Sequence, residues 1–272
     1  MTVKAYFLPE SIEEAVSLLS EHGSNLMVSG GGTHTMMLIN NGHAMPETVM
    51  GLRHAGIDRI TVNGGITIGA MTTMSQIMQA NTGDFLHQAA HSIGGWAVRN
   101  MATVGGNLMM PQPAGDFAAA LLALDAKVKL VSKNGERTVS LVDFYDADSR
   151  LNPGELITEI QAQKPSDHTA YMKYARRDAN APAMVTVAVN LKMNGHMVSE
   201  VRIALNGAAP TPIRATDAEK VLNGNVLEPD IIAKAAEAAA SQSQPYTDAL
   251  ASQWYRRKMV NVFVRRALES LA

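Results

Sequence analysis

Two glycine clusters hold the residues of this chain best suited to chemistry. The more informative one is Thr103-Val104-Gly105-Gly106-Asn107, inside the longer stretch Arg99-Asn100-Met101-Ala102-Thr103-Val104-Gly105-Gly106-Asn107-Leu108. Adjacent glycines let the backbone take φ > 0 and come close to a neighbour. Two readings fit these residue types: a tight turn, or a nest whose N–H groups wrap an anion such as a phosphate. The other cluster, Gly30-Gly31-Gly32-Thr33-His34-Thr35, follows a strand-like stretch and offers the same choice. It is not a Rossmann fingerprint. Thr35 stands where Gly-x-Gly-x-x-Gly needs its last glycine, and Leu52 stands near the place of the acidic ribose ligand. No Gly-Lys-Ser/Thr follows, so it is not a Walker A loop either. A triple glycine at a strand end still presents N–H groups to a pyrophosphate without either motif.

Other reactive constellations are missing. The Ser, His and Asp residues form no triad-like motif, and the eight His show no metal-ligand spacing. The chain has no cysteine, which rules out disulfides and Cys-ligated zinc or iron–sulfur sites within it. Any redox metal serving it is therefore expected on another polypeptide. The 17 methionines read as adaptable core filler. A net charge of −2 makes no electrostatic case for nucleic acid. No stretch approaches the roughly 20 apolar residues of a membrane span, and the N-terminus lacks a signal-peptide apolar core. A cytoplasmic protein is expected.

At 272 residues the chain has room for more than one hydrophobic core. Lys4–Leu52 reads as a β-α-β-(α)-β module, its helix capped by Ser11 with Glu14 three residues on and stopped by Gly23. A hairpin is expected around Gly64-Gly65 and another around Asn134-Gly135. Between them lie helices over 72–79, 84–92 and 117–124, the last with Asp116 placed as its N-cap. A strand over 156–162 precedes Pro165-Ser166-Asp167, where the main boundary is set. Beyond it come strands over 170–174, 183–193 and 198–205, the last two flanking Asn194-Gly195. Helices follow over 215–222, 229–241 and 248–271, the last with Arg256, Arg257, Lys258, Arg265 and Arg266 as a solvated face. The division is thus 1–165, with subdomains of about 1–55 and 56–165, and 166–272.

Together these pieces are far more specific than any one of them. The ordered set Gly30-Gly31-Gly32-Thr33, Ile93-Gly94-Gly95, Val98-Arg99-Asn100, Thr103 to Asn107, Pro113-Ala114-Gly115-Asp116, Pro153 to Ile160 and Lys173 to Asp178 resembles the FAD-binding medium subunit of molybdenum hydroxylases. This is the family of carbon monoxide dehydrogenase medium subunits and xanthine dehydrogenase FAD domains, and the resemblance spans essentially the whole chain. It implies an α+β protein: a two-subdomain FAD-binding fold of the vanillyl-alcohol-oxidase (PCMH) type, then a C-terminal three-stranded antiparallel sheet with helices.

The resemblance also implies site residues. Gly30, Gly31, Gly32, Thr33, His34 and Thr35 would hold the FAD pyrophosphate with Thr103, Val104, Gly105, Gly106 and Asn107, through backbone N–H groups. Such charge-assisted bonds are short and strong. Asp116 matches a family acid contacting FAD, Leu156 and Lys173 match positions near the flavin, and Ile93 matches a side chain beside the isoalloxazine ring. No residue is assigned a catalytic or metal-binding role. Gly30 departs from a usual alanine, and His34 and Thr35 replace a more apolar continuation. Large-subunit molybdenum cofactor and small-subunit [2Fe-2S] clusters are the implied partners, with NAD or oxygen as final acceptor and a heterotrimer as the assembly. A stand-alone FAD-dependent oxidoreductase of the same fold is the competing reading.

Overall fold

The computed structural model describes residues 3–272. The first unit comprises β1 (Ala5–Phe7), α1 (Ile12–His22), β2 (Leu26–Ser29), α2 (Thr35–Asn40) and β3 (Thr48–Gly51). Its strands run parallel in the order β1-β3-β2. Ser11 caps α1 by accepting the Glu14 N–H, while the Glu14 carboxylate takes the Glu10 N–H rather than that of Ser11. Gly23, at φ 54°, ends the helix with its N–H on the Leu19 carbonyl. The apolar positions Ala15, Val16 and Leu19 are buried.

The second unit contains β4 (Ile60–Asn63), β5 (Gly65–Gly69), α3 (Met74–Gln79), α4 (Asp84–His91), α5 (Trp96–Arg99), α6 (Val104–Leu108) and α7 (Phe117–Ala123). It continues through β6 (Lys127–Ser132), β7 (Gly135–Ser140), α8 (Leu141–Asp146) and β8 (Leu156–Ala162). The five strands form an antiparallel sheet in the order β4-β5-β8-β6-β7. β8 therefore closes the sheet between the two hairpins. Glu155, just before β8, receives a two-pronged contact from Arg137 of β7 at 2.7 and 2.8 Å.

The third unit has β9 (His168–Ala175), β10 (Ala183–Asn194), β11 (Met197–Asn206), β12 (Ile213–Arg214), α9 (Thr216–Leu222), α10 (Pro229–Gln242) and α11 (Gln253–Glu269). Its antiparallel sheet runs β12-β11-β10-β9. The three expected strands are present, and β12 is a fourth, two residues long, paired to Ala204 and Leu205. Two residues are too few to leave a period in the sequence.

β10 is buried on both faces and divides its side chains between two cores. Val185, Val187, Val189 and Leu191 pack with residues of α9, α10 and α11, whereas Ala188, with its β11 partner Ala204, belongs to the core of the preceding unit. Helix α7, Phe-Ala-Ala-Ala-Leu-Leu-Ala, lies against β10 and β11 and is buried all round. A helix without a polar face needs such cover on every side. Its small alanines allow the sheet to approach closely.

The basic face expected on the last helix is wrong at Arg256. That side chain is fully buried. It grips both Asp248 carboxylate oxygens at 2.7 and 2.8 Å, donates to the Met184 and Gly207 carbonyls, and lies over the Tyr246 ring. Asp248 does not begin the helix, which starts at Gln253 behind Ser252. Its carboxylate accepts the Leu250 and Ala251 N–H groups. No helix among the described residues is long and apolar enough to cross a membrane.

Candidate functional site

The first glycine cluster joins β2 to α2. No hydrogen bond among the described residues takes up the N–H groups of Gly30, Gly31, Gly32, Thr33, His34 or Thr35. Six successive donors left without a protein acceptor are unusual, since folded backbones satisfy nearly all such groups with protein or solvent. Gly32 has φ 73°, and Thr33 is exposed at the tip.

The two glycine clusters touch. A Cβ added to Gly31 would lie 1.4 Å from the Met101 carbonyl oxygen, and one added to Gly30 would lie 2.7 Å from Thr103 Oγ1. Hydrogen at these positions is the condition for the contact.

The second cluster differs from a plain loop. Val104–Leu108 is a short helix, α6, with Thr103 as N-cap accepting the Gly106 N–H at 3.2 Å. The Val104 and Gly105 N–H groups go to the Thr72 and Ala70 carbonyls at 2.9 and 2.8 Å, and that of Asn107 goes to Thr103 O at 2.9 Å. Four expected phosphate donors thus already have protein acceptors. The segment that leads into α6, Met101–Thr103, lies directly against the first loop. Gly105 is small because Ala70 lies behind it.

The Asn107 side chain has a structural task. Its Oδ1 accepts the Phe117 N–H at 3.1 Å, so Asn107 caps α7. Asp116 makes no side-chain cap. Its buried carboxylate turns instead to the C-terminal sheet. Oδ2 meets Lys173 Nζ at 2.8 Å, while Oδ1 accepts from Thr186 Oγ1 at 2.9 Å and Asn206 Nδ2 at 3.0 Å. Lys173 also donates to the Ser92 carbonyl at 2.9 Å. The Tyr171 hydroxyl lies 3.1 Å from Ser92 Oγ and reaches the Asp116 carbonyl at 3.4 Å. Burial, and then the Asp116 charge, push the Tyr171 phenol well above its ordinary range, so it remains a donor.

Ile93, next to Ser92, is buried in the main core. Arg99 holds this turn by donating to the carbonyls of His91, Ile93 and Gly94. A groove of about 700 Å³ opens beside it, lined by His87, His91, Ser92, Tyr171, Lys173 and Arg177 among others. Leu156, at the start of β8 opposite Val131, is buried in the same core as Ile93, and α6 packs on β8.

One connected set results. Gly30 and Gly31 rest on Met101–Thr103; Asn107 ties α6 to the start of α7; Asp116 there meets Lys173. Leu156 joins only through the core. Thr186, Asn206, Tyr171 and Ser92 were not expected. The available signal was a polar residue inside an apolar strand run, as Thr186 is in Ala183–Leu191.

The fold and this arrangement belong to a class of flavoprotein subunits. Residues 1–162 match the family described as FAD binding domain in molybdopterin dehydrogenase, and residues 170–271 match the CO dehydrogenase flavoprotein C-terminal domain. The carbon monoxide dehydrogenase medium chain of Afipia carboxidovorans is 32% identical, over 97% of this chain and 95% of its own. The glyceraldehyde dehydrogenase medium chain of Sulfolobus acidocaldarius is 31% identical, over 98% of each. The solved structure of reconstituted CO dehydrogenase from Oligotropha carboxidovorans superposes with a TM-score of 0.93 at 30% identity, covering 100% of this chain and 98% of that one. Quinoline 2-oxidoreductase from Pseudomonas putida 86 gives 0.92 at 25%, covering 99% and 97%. The chain belongs to the FAD-binding medium-subunit family of the molybdenum hydroxylases, and is a flavoprotein subunit of an oxidoreductase.

Proposed function

We propose that this chain carries FAD and relays electrons within a multi-subunit molybdenum hydroxylase. On this reading electrons arrive from [2Fe-2S] clusters on a small subunit, after oxidation of substrate at a molybdenum cofactor on a large subunit. They leave for an external acceptor, NAD or oxygen. The assembly is a heterotrimer or its dimer, in the cytoplasm. The observation that carries the reading is the run of six unsatisfied N–H groups at 30–35, held against Met101–Thr103 by hydrogen-only contacts. A pyrophosphate bears negative charge and accepts several such donors at once.

Gly30, Gly31, Gly32, Thr33, His34 and Thr35 would hold the diphosphate. Thr103, Val104, Gly105, Gly106 and Asn107 would buttress that loop. Asp116, Lys173, Ile93 and Leu156 would shape the flavin end, with Lys173 facing the groove. FAD supplies the two-electron chemistry when bound, and the protein positions it and sets its electrostatics. The division at 165/166 belongs to the same proposal. It is supported by the change of sheet between β8 and β9 and by the two family matches, which end at 162 and resume at 170.

The test is co-purification from the native host followed by metal and flavin analysis. The expected result is FAD on this chain, with molybdenum and iron on companion polypeptides, and flavin reduction by substrate only in the complex. Substrate turnover by the isolated chain, without molybdenum or iron, would establish a stand-alone flavin oxidoreductase instead.

A further inference from the structure

Lys173, Thr186 and Asn206 are direct neighbours across three strands: Lys173 pairs with Thr186, and Thr186 with Asn206. In an antiparallel sheet, laterally paired residues point to the same face. All three side chains end on one carboxylate, that of Asp116, at 2.8, 2.9 and 3.0 Å. Asn206 Nδ2 additionally reaches the Pro113 carbonyl at 2.8 Å, and the Gly207 N–H reaches Gln112 Oε1 at 2.8 Å. The whole 112–116 segment is therefore held by the end of β11. Thr186 and Asn206 are themselves almost completely buried. A packing role alone calls for apolar side chains here, since buried polar groups that merely fill space cost stability.

We propose that Thr186 and Asn206 are positioning residues for the flavin end of the site. They hold the Asp116 carboxylate and neutralise part of its charge. Lys173 is thereby fixed at the groove by two acceptors, Asp116 Oδ2 and Ser92 O. The inference rests on the reading that FAD binds with its ring beside Lys173. Two-electron reduction of a flavin with uptake of one proton leaves the ring with one added negative charge. An ammonium nearby favours that form, and an under-neutralised carboxylate opposes it. Removing a donor from Asp116 therefore lowers the reduced-to-oxidised ratio at a set potential.

The experiment uses the full chain loaded with FAD and equilibrated at fixed potential against a reference dye, read by the flavin absorbance. Thr186→Val preserves shape and removes one donor; Thr186→Ser restores the hydroxyl. The expected outcome is a fall of roughly threefold in the reduced-to-oxidised ratio for Thr186→Val, recovery in Thr186→Ser, and a larger fall for Lys173→Met. A packing role does not predict rescue by serine. If Thr186→Val matches the parent while Lys173→Met falls, the positioning role is overturned and the flavin placement stands. A Thr186→Val effect that serine does not reverse overturns it as well. If Lys173→Met also matches the parent, or the chain retains no FAD, the placement fails and takes the inference with it. Lys173→Gln replaces Lys173→Met should the latter not fold.

Discussion

Replacing Gly31 by alanine puts the largest strain on the smallest change available. The new Cβ would lie 1.4 Å from the Met101 carbonyl oxygen, where contacts below 3.0 Å are essentially never found. The two loops must separate by about 1.6 Å, because Met101 offers backbone there and no side chain that can swing aside. N–H donors that move so far lose their hydrogen bonds, whose working range is only a few tenths of an ångström wide. Losing two bonds to a charged acceptor, at about 1.5 kcal/mol each, amounts to about 3 kcal/mol, or roughly a hundredfold in Kd for FAD. Overpacking itself costs about 1–3 kcal/mol of stability, so thermal melts with and without FAD accompany the titration. The assay is quenching of FAD fluorescence on addition to apoprotein. Gly30→Ala is the control, because the one close approach of its Cβ is to a side chain, Thr103 Oγ1 at 2.7 Å. Rotating that side chain sacrifices a helix cap, about 1 kcal/mol, so FAD affinity should fall by less than about tenfold. A folded Gly31→Ala protein with parental affinity refutes the claim that contact between the loops sets the donor geometry.

Other consequences follow from the buried charges and the Arg137–Glu155 pair. Asp116→Asn, which leaves Lys173 without its counter-charge, is expected to destabilise by about 3–5 kcal/mol, measured by denaturant unfolding. Loss below 1 kcal/mol would show that the pair is open to solvent. Arg256→Met strands Asp248 and two carbonyls in the C-terminal unit and should cost a similar amount. Glu155 is held at about 2, against an ordinary 4.5, chiefly by its hydrogen bond from Arg137 and despite the opposing effect of burial. Its depressed value means that its contribution is complete above about pH 4.5 and is lost as the pH falls towards 2. Parent protein should therefore lose more stability between about pH 6 and 3 than Glu155→Gln, and equal losses in the two would contradict the pairing.

Local signals located most of the elements. Ser11, Gly23 and the apolar spacing of α1 are nearest-neighbour information, as are the turn residues of both hairpins in the second unit. Chain-local chemistry is present in the residues themselves, so those elements were legible. The three long C-terminal strands were legible for the same reason, whereas β12 exists only because Ala204 and Leu205 offer it a partner edge.

Residue types and order by themselves determined the family, the two glycine clusters and the absence of any cysteine ligand. The difference in hydrogen bonding between the clusters was decided by the tertiary structure. Among the described residues the N–H groups of the 30–35 loop meet no protein acceptor, while those of Val104 to Asn107 are taken by Thr72, Ala70 and Thr103. Asp116 reads as the cap of α7 from its position in the chain, and only the folded chain assigns the cap to Asn107. Asp116 is then released to meet Lys173, Thr186 and Asn206, which lie 57 to 90 residues further along. Arg256 likewise reads as a surface charge until Asp248 and two carbonyls enclose it. A residue type states what a side chain can donate or accept. Which partner it meets depends on where distant segments of the chain come together.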